Sequence, residues 1–152
     1  MKAIQNIMVA VDFSAISPHL VRYAIDLNCK LDARVHLVNI INQRDIQALE
    51  KVAGVSIAFS LPEQIESMRE DRLDGLKRLL ADLDMVPEGI HRHVRTGIPY
   101  QALLDAIDEL DIDLLIMGTR GRGQFSGMLF GSTAARMLHK CPVPLLTLRN
   151  GQ

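Results

Sequence analysis

"DLLIMGTRGRGQFSGMLFGST", Asp113 to Thr133, passes from a short apolar run directly into a loop that holds five of the chain's ten glycines. Asp113 to Met117 reads as a strand, and a helix begins near Gly131 and runs to Lys140, with His139 and Lys140 in its last turn and Pro142 blocking its continuation. Val143 to Leu148, "VPLLTL", is a further strand. Towards the N-terminus the same alternation repeats. Tyr100 to Leu110 is an amphipathic helix through Ala102, Leu103, Ala106, Ile107 and Leu110, reached by the turn "TGIP" from a strand at Ile90 to Thr96. Glu63 to Met85 carries Ile65, Met68, Leu73, Leu76, Leu80 and Leu83 as one apolar stripe among charges, until Pro87 and Gly89 end it. Val35 to Ile41, "VHLVNII", is a second apolar run. Ser17 before Pro18 reads as an N-cap followed by a proline at the first helical position, and Leu20, Val21, Ala24, Ile25, Leu27 and Leu31 then recur at helical spacing. Ile4 to Val11, "IQNIMVAV", is the first strand and stops at Asp12. Only Asn42 to Pro62 lacks a clear pattern; it is expected to be a long insertion with mixed helical pieces.

Five strands alternating with four helical segments call for an α/β fold: an open, doubly wound parallel sheet with helices on both faces and the strand order 3-2-1-4-5. The length of 152 residues suits one domain spanning residues 1–152. Ligands of such sheets sit beyond the carboxyl ends of the strands, where the strand order reverses. In this order that crevice lies between strands one and four, so Asp12 and Gly118 meet there although far apart in sequence.

Composition narrows the function classes. The chain is 48% hydrophobic and 23% charged with a formal net charge of -1, which disfavours a sequence-independent nucleic-acid binder. No run of eighteen or so apolar residues suggests a membrane span, and the N-terminal apolar run reads as a strand instead of a leader. Cys29 and Cys141 form no CxxC pair and no Cys/His ligand set, so a reduced, cytoplasmic setting is expected.

The glycine loop fits neither familiar phosphate cradle. A Walker A loop needs a Gly-Lys pair before Ser or Thr, and a dinucleotide fingerprint needs its glycines after the first strand. What stands here is Gly118, two residues, Gly121, nine residues, then Gly131 and Ser132 at a helix start. Glycines let backbone N–H groups face a ligand without Cβ obstruction, and a helix N-terminus supplies unpaired donors and partial positive charge. The arrangement suits an anion, foremost a polyphosphate.

In these residues the sequence resembles the ATP-binding branch of the universal stress proteins, which is marked by GxxG, nine residues, then Gly-Ser or Gly-Thr. "IMVAVDFS" is similar to that family's first strand and its acidic end, "RTGIP" to the turn after strand three, and "DLLIMGTRGRG" to strand four and its loop. The resemblance implies a Rossmann-like architecture of the adenine nucleotide alpha hydrolase type and an ATP ligand, or ADP or AMP, with Mg²⁺ held through the phosphates. It places Asp12 near the ribose or adenine, and Ala10, Val11 and Ile40 along the base. Met117, Gly118, Arg120 and Gly121 would run beside the ribose and phosphates, and Gly131, Ser132 and Thr133 would donate to the phosphate chain. It also implies a homodimer through the last strand, Val143 to Leu148. An apolar edge strand in that position needs covering or pairing in any case.

The expected function is a nucleotide-responsive binding module in stress response and not a dedicated enzyme. The alternatives are slow ATP hydrolysis or phosphotransfer, and a nucleotide-independent, chaperone-like interaction protein. Several other features invite a blander reading. Asp12 suits a turn or helix cap as well as a ligand contact, and Arg120 and Arg122 suit solvent as well as phosphate. His91 and His93 share a strand face, with Arg92 and Arg95 interleaved, and no metal site is expected there. The acidic cluster "DAIDELDID", Asp105 to Asp113, is expected to be mostly a solvated surface, so no catalytic carboxylate is assigned.

Overall fold

The computed structural model describes residues 3–55, 60–120 and 130–149. Its elements run β1 (Asn6–Ala10), α1 (Ser17–Leu31), β2 (Arg34–Asn42), α2 (Gln43–Ala53), α3 (Leu61–Ala81), β3 (Ile90–Gly97), α4 (Pro99–Glu109), β4 (Leu114–Gly118), α5 (Ser132–Lys140) and β5 (Leu145–Leu148). The strands form one sheet in the order β3-β2-β1-β4-β5, and all four neighbouring pairs are parallel. This is the order that the strand–helix alternation predicts. Its central strands have to be apolar on both faces because helices cover both; Ile7, Met8 and Val9 of β1 are wholly buried.

Alternate residues go to two separate cores. Ile7, Val9, Val35, Leu37, Ile41 and Ile116 pack against Leu20, Val21, Ala24 and Ile25 of α1 and Leu76 and Leu80 of α3. Met8, Val38, Leu115 and Met117 pack on the opposite face against Leu103, Ala106 and Ile107 of α4 and Ala134 and Met137 of α5. Each fully buried aliphatic side chain contributes about 1.5–3 kcal/mol relative to exposure. That burial fixes the helices, whose N-termini then open at the carboxyl edge of the sheet.

Three sequence expectations change. The stretch after Asn42 contains a fifth helix, α2, whose N-cap is the Asn42 side chain accepting from the Arg44 amide at 3.1 Å. None of its residues is buried, Ile46 packs only partly against the core, and the helix follows β2 with no intervening turn, so the sequence carries no boundary between the two. Second, Ser17 is not the cap of α1 but its first residue. Ile16 precedes it without a side-chain cap bond, and the Ser17 hydroxyl donates instead to Asp12. Third, Asp113 is no surface acid. It is 8% exposed, and its Oδ2 accepts the amides of Gln5 and Asn6, both at 3.0 Å. Asp105, Asp108, Glu109 and Asp111 of the same cluster are exposed, as expected.

Candidate functional site at the carboxyl edge of the sheet

A cavity of about 570 Å³ opens beyond the carboxyl ends of β1, β2 and β4. Ala10, Val11, Asp12, Ile40, Met117, Gly118, Arg120, Gly131, Ser132 and Thr133 all line it. Gly121 and Arg122 lie outside the described residues.

The chain brings these groups together by specific bonds. Val11 leaves β1 with its backbone amide donating to the Val38 carbonyl at 2.9 Å, while the Asn39 side-chain Nδ2 donates to the Val11 carbonyl at 2.8 Å. Asn39 thus ties the end of β1 to β2 where the chain turns toward Asp12. Asp12 Oδ1 accepts the Ser14 amide at 2.9 Å and the Ser17 hydroxyl at 3.2 Å. The carboxylate therefore caps the turn, as one of the two sequence readings expects, and it also lines the cavity.

Gly118 is required by close approach. A Cβ there would lie 3.0 Å from Ile16 Cγ2 and 3.3 Å from the Arg120 carbonyl, so a side chain would push α1's entry away from β4. Next, the Gly131 amide donates to the Thr119 carbonyl at 2.8 Å, and the Thr119 amide donates to the Leu148 carbonyl at 2.9 Å. The two halves of the glycine motif are thereby closed against each other and pinned to β5. Gly131 itself, at φ -69° and ψ 164°, has a backbone that any residue adopts. Its value is the missing side chain. As N-cap of α5 it supplies no side-chain cap, so among the described residues the first turn of α5 faces the cavity wall without a side-chain partner for its amides.

Sequence reasoning missed Val38, Asn39, Asn42, Asp45, Arg72, Pro99, Leu103, Phe130 and Ala134, which also line the cavity among the described residues. Val38, Leu103 and Ala134 give an apolar side, whereas Asn42 and Asp45 come from the start of α2 and Arg72 from α3. Asn42 carried a readable signal, a cap residue followed three positions later by an acid. Nothing local marks Arg72, which reaches the cavity only because α3 packs across the sheet.

At the opposite edge, His91 and His93 are joined by His36 of β2. His36 and His93 rings lie 5.3 Å apart centre to centre, with Nδ1 and Nε2 at 3.1 Å, and the His91 ring stacks on His36 at 5.0 Å. Burial first, then the charges of His93, His91 and Arg34, lowers the His36 pKa to about 4. Burial also lowers that of His93, with Arg95 and His91 adding to it. Among the described residues, no group of three His, Cys, Asp or Glu side chains is arranged to hold a metal ion.

The universal stress protein family model matches residues 3–149. The chain belongs to the universal stress protein family. Universal stress protein MJ0531 of Methanocaldococcus jannaschii is 22% identical over 145 residues, covering 95% of this chain and 82% of its own length. The universal stress protein E homolog of Haemophilus influenzae is 30% identical over 95% of this chain. The chain spans about half the length of that relative, 48%. Among solved structures, hypothetical protein MJ0577 superposes with a TM-score of 0.82 at 18% identity over 99% of both chains. Two further neighbours in the universal stress protein family carry nucleotides. A universal stress protein in complex with cAMP matches with a TM-score of 0.62 at 21% identity over 97% of this chain and 98% of its own. One from Archaeoglobus fulgidus in complex with dAMP matches with a TM-score of 0.58 at 18% identity over 96% of this chain and 98% of its own. At these identities the structural likeness establishes the fold.

Proposed function

We propose that this universal stress protein binds an adenine nucleotide, ATP foremost, in the cavity at the carboxyl edge and acts as a nucleotide-responsive binding module. The observation that carries the reading is the start of α5. Gly131 leaves the first-turn amides uncapped at the wall of a 570 Å³ cavity, where a phosphate chain would satisfy them. Ser132 and Thr133 would add hydroxyl donors, and Gly118 and Arg120 would border the ribose and phosphates, with Gly121 next in the chain. The apolar side at Val38, Ile40, Met117 and Leu103 suits a flat base, with Ala10 and Val11 beside it. The cAMP and dAMP bound by two structural neighbours support the adenine nucleotide class.

Mg²⁺ would enter with the phosphates, adding the positive charge that a triphosphate needs. Asp12 and Asp45 are the acids on the cavity wall nearest in kind to such an ion's preferences. The module works as a homodimer through β5. Every residue of that four-residue edge strand is only half buried, and Leu145, Leu146 and Leu148 would be covered by a partner's strand. The free thiols of Cys29 and Cys141 fit a reducing, cytoplasmic setting. Among the described residues, no helix is long and apolar enough to cross a membrane.

Titration calorimetry with ATP, ADP, AMP and cAMP tests the reading. Saturating ATP at ~100 times its Kd should stabilise the fold by ~2.7 kcal/mol, visible as a raised melting temperature. If no adenine nucleotide binds or shifts melting, the reading is wrong. Chromatography of the nucleotide after prolonged incubation should return intact ATP; conversion to ADP would make the protein a slow hydrolase.

A further inference from the structure

Phe13 follows Asp12 with φ +61°, the left-handed region that a bulky residue rarely occupies and that costs roughly 1–2 kcal/mol. Its ring lies against Gly75 of α3. A Cβ at position 75 would stand 2.8 Å from Phe13 Cε1 and 2.9 Å from Cζ. Gly75 is buried inside a 21-residue helix, where glycine costs roughly 0.5–1 kcal/mol relative to alanine. Each locally unfavourable choice explains the other: the ring needs the gap in α3, and the gap exists because the backbone at Phe13 turns the ring into it. Arg72, one turn before Gly75, sets its guanidinium carbon 5.7 Å from the ring centre. Arg72 lines the nucleotide cavity and also a second hollow of about 440 Å³ lined by Phe13, Ser14 and Gly75. Through Arg72, the Phe13 ring is thus linked to both hollows.

We infer that the Phe13–Gly75 contact is a positioning device that sets Asp12 and its turn from α3, so that nucleotide affinity depends on where α3 sits. The inference rests on the cavity being the nucleotide site. Phe13 and Gly75 act through Asp12, whose Oδ1 holds the Ser14 amide and the Ser17 hydroxyl. By linkage, whatever shifts α3 on binding its outer side changes nucleotide affinity, and nucleotide changes that binding equally.

The test is a size-swap cycle. Gly75→Ala inserts a methyl into the ring's place, and Phe13→Leu empties that place; each alone should weaken ATP binding about tenfold by calorimetry and speed hydrogen exchange at the Ser14 amide about tenfold in the ligand-free protein. The double variant, in which the new methyl fills the space the smaller side chain leaves, should return to within about threefold of the starting protein in both readouts. A merely structural packing role would instead change melting temperature and leave ATP affinity unchanged in all three. Wild-type affinity and Ser14 exchange in both single variants, or a double variant worse than either, overturns the inference. If the starting protein binds no adenine nucleotide, the nucleotide reading fails. The ligand-free exchange cycle then decides the positioning role by itself. If Gly75→Ala does not fold, Phe13→Leu alone carries the comparison, and unchanged affinity and exchange in it overturn the inference.

Discussion

At the amino ends of the strands, polar groups find their partners within the chain: the Asp113 carboxylate takes two amides, Asn6 donates its side-chain nitrogen to the Asp111 carbonyl, and His36 and His93 share a hydrogen. At the carboxyl ends the backbone is held just as firmly, by Gly131 to Thr119 and Thr119 to Leu148, yet the first turn of α5 is left facing a cavity. One sheet thus has a closed end and an open end. Closure is worth stability, because each internal pair is fully made. Openness leaves the first turn of α5 without a side-chain cap among the described residues, and a ligand of opposite charge would gain what the fold forgoes.

Four changes should separate the two ends. The largest belongs to Asp113→Ala, which strips the buried Asn6 amide and the part-buried Gln5 amide of their charged acceptor and should cost about 3 kcal/mol in denaturant unfolding with nucleotide affinity kept. A loss below about 1 kcal/mol would mean that water reaches those amides and that the end is not closed. Gly131→Val should do the reverse. It should weaken ATP binding at least a hundredfold, roughly 2.7 kcal/mol, and shift stability by about 1 kcal/mol or less, because φ -69° suits any residue. Retained affinity would place the phosphates elsewhere.

The third change is in pH. His36 has a folded pKa of about 4, against 6.5 when unfolded, so the unfolded chain takes up the proton first. Stability is complete above pH 6.5 and falls as pH drops from 6.5 through 4, by roughly 3 kcal/mol in all. Unfolding of His36→Gln across the same window should show a shallower slope; an unchanged slope would clear the imidazole cluster of any role in acid sensitivity. The smallest effect is expected for Arg95→Gln. It removes the 2.6 Å pair with Glu109, whose side chain is 57% exposed, and should change stability by less than about 1 kcal/mol. A larger loss would extend the closed end out to the rim of α4.

The strand order was legible because burial on both faces leaves apolar runs that stand out from their surroundings. "IMVAV" and "DLLIM" declare themselves, and the crevice follows from topology once those runs are ordered. Gly118 and Gly131 were legible for a different reason, since absent side chains leave a spacing in the sequence. What stayed hidden acts through distant partners. Arg72 reaches the cavity through the packing of α3, and Asn39 matters through one bond to Val11. Asp113 looked like the last acid of a solvated cluster, yet its partners are Gln5 and Asn6 at the other end of the chain. His36 was passed over because 55 and 57 positions separate it from His91 and His93, and only the β2–β3 register lays them side by side. For α2 the obstacle was its boundary: β2 ends at Asn42 and the helix begins at Gln43, so no turn residues separate strand from helix.

The Asp113 clasp also bears on time. It joins positions 108 residues apart, and β1 meets β4 in the same place, so the centre of the sheet closes only after most of the polypeptide exists. Contacts of such long range are slow to form, whereas β1, β2 and β3 can pair first from neighbouring segments. During synthesis the N-terminal half would wait as a three-stranded fragment with one flank of β1 unpaired. The cavity, walled by residues from Ala10 to Ala134, comes into being with the last strands. Any ligand that fits the cavity would therefore bind only molecules whose last strands are in place.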